Sequence, residues 1–408
     1  MRKPLVPNLC GASDFYAPCH HFAFLIHAIL STVIKGCSAP RAAPEPTTTH
    51  FSIKEDVIMN IYQTFLSTMV AAATICISTS AFADSLAYED YTEIPLSLKK
   101  EEGTLIFSDC PEYADTPGIL YEGTVEKGEG RLYYYHVNET GAPARLVVYA
   151  KADKKQPLTM KRAIRGDASS SYIPTGSTLS FREAIDAKQE EKTFHLAPGE
   201  RTILFEDDPK GISEEDLVSG IVEIKTKHPV KLGAAILPMG DDKSLQEALD
   251  TAAALPPDSH EMRGTFAADI YLSGEPWDFS QGNAEITIGS SYPFQQGKDE
   301  VSGVNRENTG DYGIRYHITV KTKGSGNYKL YINPMGGVYM GTFEIGQNEK
   351  LLRTYRTDGT VGKAWFGDGT MESCLPAGIW HAGKDLYIRF IPAGAAYLPL
   401  RFLLVAAD

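Results

Sequence analysis

The stretch RLYYYHVNETGAPARLVVYA (residues 131–150) sets two apolar runs, RLYYYHV and RLVVYA, on either side of a turn rich in Asn, Thr, Gly and Pro. Both runs are short and rich in β-branched and aromatic side chains, and turn-forming residues separate them, so each reads as a β-strand. The chain answers this stretch later with GIRYHITVKTKGSGNYKLYIN (313–333). Tyr135, His136 and Val137 fall on Tyr316, His317 and Ile318, while Arg145, Leu146, Val147 and Val148 fall on Lys329, Leu330, Tyr331 and Ile332. The later offset is three residues longer, in a Gly-rich turn where insertion costs little. Further on, LAPG (196–199) answers LPAG (375–378), and Val230, Leu232, Ala234 and Ile236 answer Leu398, Leu400, Phe402 and Leu404. Matches that recur in one order are the mark of an internal repeat.

Working outward, GIVEIKT and VKLGAAIL in the first copy and AEITIGS in the second read as further strands. Ile314, Tyr316, Ile318 and Val320 alternate with polar or charged neighbours and His317, which puts them on one face of a strand, turned inward. No helix alternates with these strands, so the expected fold is all-β: two tandem antiparallel β-sandwich domains, not a parallel sheet. DDKSLQEALDTAAALPPD (241–258) breaks the pattern. Asp241 or Asp242 can cap it, Leu245, Ala248, Leu249 and Ala252 recur at helical spacing, and Pro256 and Pro257 stop it. This predicts a short helical linker over 241–259 between domain one (88–240) and domain two (260–408), each able to fold alone. A shorter helix is expected around LSFREAIDAKQEE, with Ser180 as cap and Glu183 at the capping-box position.

With 408 residues, 43% hydrophobic and 22% charged, the chain has enough apolar surface for packed cores. Its net charge of −13 argues against nucleic acid as a partner, because phosphate neutralisation needs clustered Lys and Arg. MNIYQTFLSTMVAAATICISTSAFADSLAYED begins at Met59 and is uncharged from Phe65 to Phe82. Ala81, Phe82 and Ala83 supply the small-x-small cleavage pattern, so 59–83 reads as a secretory signal with a mature chain from about Asp84. It lacks a basic flank, and it is too diluted with Ser, Thr and Ala for a permanent span. Residues 1–58 read as a leader from a wrong start; the competing reading makes Phe22–Ile34 a signal core or membrane segment. The chain after residue 83 holds 34 basic and 48 acidic groups, net −14, and no transmembrane span is expected in it.

Cys10, Cys19 and Cys37 lie in the leader and Cys76 in the signal, leaving Cys110 and Cys374. These two either pair as a disulfide or serve as small buried hydrophobes, and their placement in different repeats favours the second reading. No GxSxG, HExxH, GxxxxGK[ST] or DxDxDG occurs. His136 and His317, equivalent in the repeat, are expected as partly exposed, hydrogen-bonded imidazoles rather than ligands or bases. FEDDPKGISEEDL gathers carboxylates that calcium could use, though a solvated loop accounts for them more simply. Trp277, Trp365, Trp380 and Tyr339, in company with Tyr292, Tyr355 and Tyr397 and the Gly-rich NPMGGVYMGTF and WFGDGT, form the candidate binding surface. Exposed rings there would stack on sugar faces or peptide side chains; the alternative is that they fill the core.

GDYGIRYHITVKTKGSGNYKLYINPMGGVYMG, followed by LYIRFIPAGAAYLPLRFLLV, resembles the β-rich extracellular regions of secreted Firmicutes proteins that often carry a copper amine oxidase-like N-terminal module. The likeness rests on a Tyr-rich strand, the Asn333-Pro334-x-Gly336-Gly337 turn and a final Pro-bearing apolar strand. The module itself is not identifiable, so the resemblance implies neither copper nor oxidase chemistry, and no cofactor is expected. It implies a secreted or cell-envelope location. The expected function is non-catalytic binding or spacing at the cell exterior, with a glycan or protein ligand. The alternatives are an envelope-acting hydrolase assembled from scattered loops and a soluble ligand-binding or inhibitor module.

Overall fold

Among the described residues, eighteen strands of five or more residues carry the fold. The computed structural model describes residues 90–185, 189–289, 293–347, 350–356, 367, 370 and 373–407, all within the unit Thr74–Asp408. The signal and leader therefore lie outside the described residues. The first nine strands are β1 (Ser97–Ser108), β2 (Gly118–Val125), β3 (Gly128–Asn138), β4 (Ala144–Lys151), β5 (Gln156–Arg165), β6 (Lys192–Leu196), β7 (Arg201–Glu206), β8 (Leu217–Thr226) and β9 (Val230–Pro238). The other nine are β10 (Arg263–Ser273), β11 (Ala284–Ile288), β12 (Arg315–Val320), β13 (Asn327–Pro334), β14 (Thr342–Gln347), β15 (Lys350–Arg356), β16 (Leu375–His381), β17 (Leu386–Phe390) and β18 (Leu400–Ala407). Helix α1 (Tyr172–Ile185) follows β5, and α2 (Asp242–Thr251) follows β9.

The chain is mostly β, as its alternation predicts. One sheet has the strand order β15-β14-β17-β12-β10-β1-β3-β8-β5-β6, and two smaller ones have the orders β2-β9-β4-β7 and β11-β18-β13-β16. Counted from the junction of β1 and β10, the two arms of the large sheet list their strands in the same sequence, and so do the two small sheets. β1 runs parallel to β3 and β10 parallel to β12. The matched residues also share register. Leu146 sits opposite Ile236 and Val148 opposite Ala234, while Leu330 sits opposite Leu404 and Ile332 opposite Phe402. Gly324 and Gly326 take positive φ in the longer turn after β12, a conformation that glycine adopts without steric cost. LAPG and LPAG are not equivalent: Leu196 ends β6, whereas Leu375 opens β16, the positional counterpart of β7.

The halves are joined more closely than tandem domains would be. β1 and β10 pair antiparallel from Arg263↔Ser108 to Ser273↔Ser97, so the edge each half would expose is covered by the other. Leu132, Tyr134, Val222 and Ile224 from the large sheet pack with Leu146, Val148, Leu232 and Ile236 in one core. The other core holds Tyr316, Ile318, Ile388, Phe390, Leu330 and Phe402, and it also takes in Leu105, Phe107, Tyr133, Tyr135 and Ile221 from the first half. β3 is thus buried on both faces, which is why RLYYYHV reads as a continuous apolar run and not an alternation.

Helix α2 forms where its spacing places it. Asp241 accepts the Ser244 amide at 2.9 Å, and Leu245 and Leu249 pack on Ile119, Val147, Tyr149 and Leu237. Helix α1 starts eight residues before the expected cap, and Ser180 lies inside it. Pro174 is tolerated in the first turn, whose amides need no intrahelical partner. Ser180 Oγ instead accepts the Thr342 amide of β14 at 2.9 Å. At Gly176 the helix meets the second half so closely that an added Cβ would lie 2.0 Å from the Gly394 carbonyl oxygen. Gly176→Ala is therefore expected to cost about 1–3 kcal/mol by overpacking, despite alanine's better helix propensity, read as a lower urea midpoint at unchanged slope.

Candidate functional site

Three of the candidate binding rings lie in the core and not on a surface. Trp277, Trp380 and Tyr339 are 8%, 6% and 1% exposed and belong to the larger core. Trp380 Nε1 donates to the Lys384 carbonyl at 2.7 Å, so its polar end is satisfied locally. Large rings at the rim of a sandwich remove more apolar area from water inside than outside, and here that term decides. Trp365 and Tyr292 lie outside the described residues, as does the Tyr355 side chain. Cys110 and Cys374 are not joined in a disulfide; burial pushes the Cys110 thiol up to about 12.

Both repeat-equivalent histidines are hydrogen-bonded, but they are buried rather than partly exposed. His136 Nδ1 lies 2.7 Å from the Pro111 carbonyl oxygen, which can only accept. Its Nε2, 2.9 Å from Ser108 Oγ, is left to accept the hydroxyl proton. Burial brings this imidazole down to about 4, so it is neutral at pH 7. The distances are those of a serine–base pair, yet both side chains are 0% exposed and neither lines the two cavities described below. His317 places Nε2 at 2.8 Å from Asp269 Oδ1 and Nδ1 at 2.6 Å from the Tyr387 hydroxyl, with the Tyr271 ring stacked at 4.2 Å.

Around His317 lies a buried ion network joining the halves. Arg315 of β12 reaches Glu183 of α1 at 2.7 Å, Glu223 of β8 at 2.9 Å and Asp269 of β10 at 3.0 Å. Arg131 of β3 reaches Glu223 and Asp269, both at 3.0 Å, and Arg162 of β5 reaches Glu183 at 3.0 Å and Glu223 at 2.6 Å. Three guanidiniums meet three carboxylates. Burial raises Glu223, but Arg131, Arg315 and Arg162 together outweigh it and hold it well below the usual carboxylate range. A cleft of about 640 Å³ opens beside the network. The charges on its inner wall neutralise one another, and His317 has both ring nitrogens engaged.

The acidic run at 206–216 is not a solvated loop throughout. Asp207 is 2% exposed, accepts the Tyr134 hydroxyl at 2.5 Å and pairs with Arg165. Among the described residues no three His, Cys, Asp or Glu side chains stand where they could hold a metal ion.

The second cavity differs in kind. It measures about 210 Å³, below the roughly 300 Å³ at which drug-sized pockets begin. Phe107 from β1 and Tyr133 and Tyr135 from β3 meet Tyr172 from α1, Tyr312 before β12, and Gly394, Ala395 and Tyr397 from the loop after β17. Asp109 and Glu112 complete the lining, which contains no basic residue. Phe107 stacks with Tyr312 at 6.4 Å, and Tyr135 meets Tyr172 edge-on at 6.4 Å. Tyr312 donates to the Ala396 carbonyl at 2.8 Å, fixing the loop. Ala395 holds φ 60°, unusual for a residue with a side chain. Tyr397 at the mouth is 53% exposed.

Two polar atoms here are buried without a hydrogen-bond partner: Asp109 Oδ1 and the Tyr133 hydroxyl. Tyr133 is 2% exposed, and although Ser219 is close, neither hydroxyl completes a bond of good geometry. Burial first, then Glu112 and Asp258, push the Asp109 carboxyl well above the usual range. Arg263, which donates to the neighbouring Cys110 carbonyl at 3.4 Å, is committed to Asp299 at 3.1 Å. Buried polar groups without partners cost about 1–3 kcal/mol each, so a pair lining one cavity marks where a ligand gains most. The sequence conceals this site because its walls come from five separated segments. The legible trace is Asp109 standing directly after the apolar end of β1.

No protein-family model matches the chain, and no curated protein does. Among solved structures, the CUB1-EGF-CUB2 region of human MASP-1/3 is similar at 10% identity, covering 70% of this chain and 99% of that one, with TM-score 0.16. Vicilin from hazelnut, Corylus avellana, matches at 10% identity over 70% and 73% with TM-score 0.13. The 11S allergen from Cocos nucifera matches at 10% identity over 78% and 90% with TM-score 0.11. TM-scores this low assign no shared fold.

Proposed function

We propose that this is an exported, non-catalytic binding protein of the cell exterior, built by duplication of a two-sheet sandwich unit, which receives a small group of a glycan or protein ligand in the aromatic pocket. The identical strand order of the two arms supports the duplication. The uncharged segment ending Ala81-Phe82-Ala83 supports export, and the resemblance to secreted Firmicutes β-rich proteins agrees with it. Binding rests on one observation: Asp109 and Tyr133, each with a buried polar atom that makes no hydrogen bond, line a cavity otherwise walled by aromatic rings. Ser108 and His136, which stand at the distance of a serine–base pair, are both fully buried and line neither cavity.

A panel of pocket-sized sugars, amines and peptide fragments tests this by thermal shift on the full mature chain. One class is expected to raise the melting temperature of the wild type and to lose most of that effect in Tyr397→Ala. That variant removes only an exposed ring, so its own stability should change by less than about 0.5 kcal/mol. A panel that shifts wild type and Tyr397→Ala alike would refute binding at this pocket.

A further inference from the structure

The chemistry of the lining narrows the ligand. Six aromatic rings, of Phe107, Tyr133, Tyr135, Tyr172, Tyr312 and Tyr397, surround two carboxyl groups and no cation. A ring face attracts positive charge, and the attraction grows where water is excluded. An unpartnered carboxylate oxygen wants a donor, and a charged donor gives the stronger bond. A neutral sugar would satisfy the stacking surfaces but bring no charge for the carboxyls to pair with. An anion would meet repulsion from both carboxyls.

We propose that the aromatic pocket binds a primary alkylammonium group, its N–H donating to the Asp109 carboxylate and its charge lying among the tyrosine rings. The inference rests on the binding function proposed above. Its source is either a free small amine or the side chain of a peptide-borne lysine, and the chemistry at the pocket is the same.

The proposal carries a proton signature. The groups facing Asp109 are Glu112 and Asp258, both of its own sign, and the hydroxyls of Tyr133, Tyr135 and Tyr312. His260 lies on the far side, 3.6 Å from Glu112 and 3.7 Å from Asp258. With no cation beside it, the empty site holds its Asp109 carboxyl above the usual range. An arriving ammonium stabilises the carboxylate over the protonated acid. Affinity should therefore rise with pH through the titration of Asp109 in the empty protein.

Calorimetric titration of the full mature chain with n-butylammonium, Nα-acetyl-lysine methylamide and n-butanol tests this. At least one amine should bind about tenfold or more tighter than the alcohol, as a charged hydrogen bond in place of a neutral one implies. Whichever amine binds tighter identifies the source. Asp109→Asn should abolish the difference, and over a pH series extending into the acid range the wild-type affinity for the amine should rise with pH. The pH series needs no variant, so a misfolded Asp109→Asn does not blunt the test. Alcohol and amines binding equally, or an amine affinity that does not rise with pH across the acid range, would overturn the ammonium assignment and leave the pocket a site for neutral ligands. No saturable binding of any of the three, with no hit in the wider panel, would overturn the binding function itself.

Discussion

Glu183→Ala is expected to destabilise the protein by about 3–5 kcal/mol, measured as a fall in urea midpoint, because it strips a buried carboxylate from two guanidiniums and leaves the buried network with three arginines against two acids. Glu183 is 4% exposed and receives Arg162 at 3.0 Å and Arg315 at 2.7 Å. Removing the acid leaves Arg162 and Arg315 facing each other with Glu223 alone between them. A loss of that size is a large part of the 5–15 kcal/mol that holds a typical domain together. Replacing all three arginines and three acids with apolar side chains of similar volume could cost far less, since desolvating charges offsets most of what their pairing returns. The effect therefore measures the burden of an orphaned charge. A loss below about 1 kcal/mol would mean that water reaches the network and screens it.

The same network sets how stability responds to acid. Burial raises Asp269, but Arg131, the His317 hydrogen bond and Arg315 outweigh it and hold the group below its ordinary range. Glu183 and Glu223 are likewise held low by their arginines against the cost of burial. A carboxylate held lower in the folded than in the unfolded chain contributes stability that is present above its unfolded value, near 4, and is lost as pH falls through the folded one. The midpoint should thus fall steeply below about pH 4 in the wild type and less steeply in Glu183→Ala.

Much of the fold was legible because the signals were local. Alternation in Ile314, Tyr316, Ile318 and Val320 needs only a strand and an inside, and all four are buried. Capping of α2 needs only Asp241 and the amide of Ser244. The matching register of Leu146 with Ile236 and of Leu330 with Leu404 was legible because a slip of one residue would turn these side chains out. What escaped was whatever depends on how distant segments meet. Nothing in TLIFSD or RLYYYHV states that β1 pairs with β10, so β3 gave no hint that its second face meets another half-molecule. Trp277 and Trp380 could have served as platform or as core, and sequence alone does not say which side of the sheet is wet. Ser180 and Glu183 have capping spacing, yet both are spent on contacts across the seam, to Thr342 and Arg315. Local propensity lost there to tertiary bonds of greater worth. The pocket was least legible, since Asp109, Tyr133, Tyr172, Tyr312 and Tyr397 come together only once both halves are in place.

Residues 260–408 expressed alone should fail to give a cooperative unfolding transition, while the full mature chain unfolds in one. The second half was expected from sequence to fold alone, and its strands form a complete pair of facing sheets. Its core nevertheless includes Leu105, Phe107, Tyr133, Tyr135 and Ile221 from the first half. Each large apolar side chain so buried contributes roughly 1.5–3 kcal/mol, so withdrawing several at once exceeds the net stability of an ordinary domain. The fragment would also bare β10 along its pairing with β1, from Arg263 to Ser273. An unpaired edge of that length is a template for association, so the fragment should aggregate through it. Circular dichroism during a urea titration decides the matter: a sloping, non-cooperative signal from the fragment beside a single sharp transition from the full chain is the expected pair of curves. A sharp transition from the isolated fragment would mean that β10 and the shared core are contacts between finished domains, and the seam network would then be an interface and not part of one folding unit.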